Sequence, residues 1–171
     1  MATYSPDDEA YRARVHRNGR AADPAFGREE RLFRRYRKAD LINGKPGPLA
    51  MLPLEAEVSV NRNKYSEPQD VLESDCCDGH KRSGYVVLDI HVSDIPEAIA
   101  VDDGTGRIFR FCVAHEPKDA CFAHSEIRCN QDGDIGKPHE QPPKQVRNIF
   151  RAELARHLAQ RDVLEFQPWP A

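Results

Sequence analysis

The clearest pattern in the chain runs over residues 84–92, where Val86, Leu88, Ile90 and Val92 alternate with Asp89 and His91. Successive side chains of an extended strand point to opposite faces, so this is a strand with an inner apolar face and an outer polar one. The same period of two runs over residues 52–60, where Leu54, Ala56, Val58 and Val60 are set against Glu55, Glu57 and Ser59. Residues 98–101 and 107–115 flank Asp102-Asp103-Gly104-Thr105-Gly106, which reads as the loop of a hairpin, and residues 122–128 form one further strand. Helical spacing occurs twice. Leu32, Phe33 and Tyr36 among arginines predict a short amphipathic helix over residues 28–40, ended by Asn43-Gly44-Lys45-Pro46-Gly47-Pro48. Val146, Ile149, Phe150, Leu154 and Leu158 predict a second over residues 144–160, with Pro142-Pro143 at its start.

Helix, several antiparallel strands, helix is the order of an α+β fold. The expected architecture is an antiparallel sheet of about four to five strands with an N-terminal and a C-terminal amphipathic helix on one face. Residues 1–27 are polar and Arg-rich, without periodic apolar positions, and read as a flexible basic arm; residues 28–171 read as a single α+β domain. No apolar run approaches the roughly 20 residues of a membrane span. The polar start has no apolar stretch of signal-peptide length, which points to the cytoplasm and to no membrane partner. The five cysteines are an odd number, with Cys76 and Cys77 adjacent, and free thiols are the expectation.

The net charge of −3 hides an uneven distribution. Residues 11–38 hold ten Lys or Arg against three acids, while residues 66–103 hold ten acids against Lys81 and Arg82. A basic part folded onto an acidic part accounts for this, and an arginine-rich N-terminal segment that grips nucleic acid or a protein partner is the alternative.

Reactive side chains are densest between Cys112 and Cys129. If residues 122–128 are extended, His124, Glu126 and Arg128 share a face, while Ser125, Ile127 and Cys129 point the other way. Imidazole, carboxylate and guanidinium in a row can move a proton, tune that movement and stabilise an anion. Asp89 and His91 can join that polar surface if their strand is the neighbour. His115, by alternation, shares a face with Phe109, Phe111 and Val113, and needs a bulge to reach His124. A second cluster, Arg62, Lys64, Tyr65 and Ser66, leaves the first strand and suits a phosphate or carboxylate. Cys112-x2-His115 and Cys121-x2-His124 form a conceivable zinc set, though only five residues separate the pairs; Cys76-Cys77-x2-His80 is a weaker one. His124-Ser125-Glu126 lacks the downstream Pro-Cys-x-x-Cys of zinc nucleobase deaminases. There is no phosphate loop, nucleophile elbow or His-Glu-x-x-His.

Residues 59–72, from Ser59-Val60-Asn61-Arg62-Asn63-Lys64-Tyr65-Ser66 onward, combine with Val92-Ser93-Asp94-Ile95-Pro96, with His115-Glu116-Pro117 and with Ala123-His124-Ser125-Glu126-Ile127. The set resembles a group of small uncharacterised bacterial proteins with a His-x-Pro and a later Ala-His-Ser-Glu-(Ile/Val), over about residues 58–155. No established activity comes with that group. The resemblance implies a shared site at Arg62, Lys64, Tyr65, His115, His124, Ser125 and Glu126, without the cysteines. Three readings follow. The first is an accessory or binding module whose His/Glu/Arg pocket, with Arg62, Lys64, Tyr65, Ser125 and Arg128 as ligand-binding groups, holds an anionic ligand, nucleic acid or a protein. The second is a metal-independent hydrolase or nuclease with His115 and His124 as acid and base and Glu126 orienting a histidine. The third is a zinc-stabilised domain; the first two need no cofactor.

Overall fold

The computed structural model describes residues 9–46, 57–72, 84–136, 141–159, 161 and 163–166. In chain order the elements are α1 (Glu9–Val15), β1 (Arg31–Arg37), β2 (Leu41–Ile42), β3 (Lys45–Pro46), β4 (Glu57–Arg62), β5 (Tyr85–His91), β6 (Ala100–Asp102), β7 (Ile108–His115), β8 (His124–Gln131), α2 (Lys144–Leu158) and β9 (Val163–Leu164). Seven strands form one antiparallel sheet in the order β6-β7-β8-β4-β1-β5-β9, and β2 pairs with β3 alone. That small hairpin turns on Asn43 and Gly44, both at positive φ (51° and 75°), the pairing a two-residue loop favours.

The α+β expectation of four to five strands under two helices is therefore corrected to a sheet-rich fold with two helices among the described residues. The largest correction is at residues 28–40, which do not form a helix. Arg31–Arg37 is β1, a central strand between β4 and β5. Leu32 and Tyr36 face a large core with Val58, Val60, Val86, Leu88, Ile90, Phe109, Phe111 and Ile127. Phe33 faces the other side, in a smaller core with Val71, Leu72 and Val87. A strand covered on both faces buries adjacent residues, and this destroys the alternation by which strands are recognised. Two of its arginines are held by the sheet: Arg31 Nε donates to Asp89 Oδ1 at 2.8 Å, and Arg34 Nη1 to the Ser59 carbonyl at 3.0 Å. The second bond lies just where β1 and β4 part company after the register pairs Leu32↔Arg62 and Phe33↔Asn61.

The remaining signals fall on regular structure. β5 lies within the alternating run at 84–92, with Val86, Leu88 and Ile90 inward. β6 and β7 pair across the 102–106 loop. α2 lays Val146, Phe150, Leu154 and Leu158 on the large core, whereas Ile149, expected on that face, is 38% exposed. Residues 51–56 lie outside those described, so β4 is seen from Glu57. The N-terminal helix that does exist, α1, precedes the expected one. It is joined by Arg14 to the buried Asp70, in the 3-10 turn Pro68–Leu72 whose Val71 and Leu72 cover the smaller core. No helix among the described residues is long and apolar enough to cross a membrane.

Candidate functional site

The sequence-expected site residues gather into two clusters, not one. In β7 and β8, His115 is paired with Ser125. His124 is the next residue on β8, so the pleat sends its side chain to the opposite face from His115. No bulge brings the two histidines together: the β7–β8 register runs unbroken from Phe109↔Gln131 to His115↔Ser125.

The first cluster surrounds Asp23. The Asp23 backbone N–H donates to His115 Nδ1 at 2.8 Å, and His115 Nε2 meets the Phe122 carbonyl at 2.6 Å. The imidazole accepts on one nitrogen and donates from the other, which identifies the neutral Nε2–H tautomer. Burial pushes its pKa below the ordinary histidine value. The ring stacks on Tyr65 with centroids 5.4 Å apart. The Asp23 carboxylate accepts from Lys64 Nζ at 2.8 Å and from the Tyr65 hydroxyl at 2.7 Å; these two bonds, Lys64 first, hold its pKa well below the usual carboxylate range. Arg62 has no exposed side-chain surface. Its Nη1 donates to the Asp23 carbonyl at 2.7 Å, its Nη2 to the Ala25 carbonyl at 2.7 Å, and its Nε and Nη2 to the Glu30 carboxylate. The guanidinium also sits 3.9 Å from the centroid of the Phe26 ring. Arg62, Lys64, Tyr65 and His115 are thus brought together, but around residues 23–30 of the same chain. Sequence reasoning missed Asp23 and Glu30. Their one signal was being two of only three acids inside the basic 11–38 stretch.

The second cluster lies on the other face of β8, where His124, Glu126 and Arg128 project together as the alternation expects. The β4 register places Asn61, Ser59 and Glu57 directly opposite them. Arg128 Nε donates to Glu126 Oε2 at 2.7 Å, its Nη2 lies 3.1 Å from Glu116 Oε1, and its Nε lies 3.7 Å from Glu57 Oε2. Burial alone would raise the Glu126 pKa. A hydrogen bond with Glu57 and the Arg128 guanidinium outweigh burial and hold it below its ordinary value. His124 Nδ1 meets the Glu116 carbonyl at 2.8 Å, so Nδ1 carries the proton and donates it. Its Nε2 is buried with no hydrogen-bond partner among the described residues, 4.0 Å from Glu126 Oε1. Burial, with Lys118 adding a like charge, keeps the His124 pKa low, so Nε2 presents a lone pair. Asn61 Nδ2, on the residue directly across from His124, is likewise buried and without a partner among the described residues.

Other expected residues go elsewhere. Ser125 is fully buried on the His115 face, its hydroxyl donating to the Ala123 carbonyl at 3.3 Å. Asp89 is taken by Arg31, and β1 and β4 stand between β5 and β8. Among the described residues no three of His, Cys, Asp and Glu are grouped to hold a metal ion. Cys112 lies opposite Arg128, three residues from His115 and therefore on the other face from it. The Cys112 and Cys129 thiols are pushed up by burial, to about 11 and about 12. Cys76, Cys77 and His80 lie outside the described residues. In the basic segment, Arg14 and Arg31 reach the acidic one through Asp70 and Asp89. Arg20 caps α1 by donating to the Arg14 carbonyl at 2.8 Å, with its guanidinium 3.8 Å from the Phe122 ring centroid.

No family model, curated protein or solved structure matches this chain.

Proposed function

We propose that this chain is a small binding module whose site is the His124–Glu126–Arg128 face of β8, and that its ligand presents a hydrogen-bond donor to His124 Nε2. The observation that carries the reading is that imidazole. Its Nδ1 is committed to the Glu116 carbonyl, its ring is buried, and its Nε2 lone pair lacks a donor among the described residues. A buried acceptor left unpaired costs about 1–3 kcal/mol, and a ligand that supplies the donor recovers it. The surroundings select the sign of the ligand. Arg128 is already engaged by the Glu126 and Glu116 carboxylates, with Glu57 at 3.7 Å, which disfavours the phosphate or carboxylate ligand that the arginines alone suggested. Arg62 does not alter that balance, because its donors are directed at Glu30 and at backbone carbonyls.

The test is His124→Phe, which keeps an aromatic ring and removes the unpaired acceptor together with the Nδ1–H that the Glu116 carbonyl accepts. Ligands found by screening against the His124 ring signals in NMR should bind the variant about tenfold more weakly or worse, as expected for roughly 1.4 kcal/mol. The variant should unfold at a similar denaturant concentration. A broad panel of donor-bearing compounds that leaves the wild-type ring signals unmoved would remove this reading.

A further inference from the structure

The distance between His124 Nε2 and Glu126 Oε1, 4.0 Å, specifies more than a generic donor. Resting on the binding reading above, we infer that the group recognised here is a primary ammonium. A nitrogen placed about 2.8 Å from each of two acceptors 4.0 Å apart subtends roughly 90° between them. A tetrahedral ammonium meets that span with each N–H about 10° off linear, well within hydrogen-bond tolerance. One N–H goes to the imidazole lone pair and a second to the carboxylate. The planar guanidinium fork suits the two oxygens of a single carboxylate instead, and Arg128 already occupies Glu126 Oε2 with both Nε and Nη2, which leaves Oε1 to another donor.

Asn61 supplies a place for the third N–H. It faces His124 across the β4–β8 ladder and is buried, and its Nδ2 makes no hydrogen bond among the described residues. A half-turn about its last torsion exchanges Nδ2 for Oδ1, so a donor with nothing to bind becomes an acceptor aimed at the same neighbourhood. Charge completes the selection. A neutral hydroxyl has one O–H and can donate to only one of the two acceptors, whereas an ammonium brings a donor to each and a charge that the ionised Glu126 favours. Two of the neighbouring side chains reach solvent: Glu116 is 49% exposed and Lys118 is exposed. Lys118 itself places a positive charge near His124 and opposes a second one.

The experiment titrates the full chain with n-butylammonium, tetramethylammonium and n-butanol while following the His124 ring signals by NMR. Butylammonium should move them saturably, with n-butanol at least tenfold weaker and tetramethylammonium, which has no N–H, without effect. Glu126→Gln should weaken butylammonium about tenfold or more, and Lys118→Met should tighten it several-fold, a gain that misfolding does not produce. Equal or tighter binding of n-butanol or tetramethylammonium overturns the ammonium assignment but leaves a donor site at His124. Silence of the ring signals to all three probes and to a wider donor panel overturns both.

Discussion

Among the described residues Arg62 heads the fully buried side chains by size, and its environment shows how a cation is kept inside a protein. It faces the Glu30 carboxylate, the carbonyls of Asp23 and Ala25 and the ring of Phe26. Removing one member of such a set strands the others without solvent, and breaking a buried ion pair costs about 3–5 kcal/mol. Arg62→Ala should therefore lower the free energy of unfolding in urea by about that amount; a loss below about 1 kcal/mol would mean that the guanidinium does not hold residues 23–30. His124 is the converse case. Its ring is held just as firmly on one side by Glu116, yet keeps one nitrogen uncommitted, and only the second arrangement leaves chemistry available.

At the scale of elements, β1 decides the architecture. As a helix, residues 28–40 would put Leu32, Phe33 and Tyr36 on one face; as β1 they are divided between two cores. Phe33 is 2% exposed, so Phe33→Ala should destabilise by about 3–5 kcal/mol, whereas Ile149→Ala on the outer side of α2 should stay within about 0.5 kcal/mol. Similar small effects for both would argue that the face of β1 bearing Phe33 is not packed. The strand is recognisable afterwards by Arg31 and Arg34, each bound to a neighbouring strand through a partner distant in sequence, whereas Arg37 turns to Asp40 nearby.

For the whole molecule, pH is the informative variable. Burial holds both His115 and His124 below the ordinary histidine value. The unfolded chain therefore takes up these protons first as pH falls. Well above about pH 6.5 both rings are neutral in either state and contribute no pH dependence; as pH falls through it, protonation favours the unfolded chain and stability declines toward the lower folded values. The decline has a local counterpart, because a protonated His115 Nδ1 can no longer accept the Asp23 N–H. Urea midpoints should fall as pH drops from about 7.5 to 5.5, and the Asp23 amide should lose exchange protection at the lower pH where His115 protonates in the folded chain. A flat profile there would contradict buried neutral imidazoles.

Periodicity is a property of adjacent residues, and whatever depended on it alone was determined by the sequence. This covers β5, the β6–β7 hairpin, the apolar face of α2 apart from Ile149, and the common face of His124, Glu126 and Arg128. The same parity put His115 with Phe109, Phe111 and Val113, away from His124. Tertiary structure decided which strands were covered on both sides, and so made a strand of Arg31–Arg37. It also chose the partners: Asp23 and Glu30 for the first cluster, Glu57, Glu116 and Asn61 for the second. Two-sided burial and contacts between strands distant along the chain leave no imprint on local spacing, because they arise only when the sheet assembles.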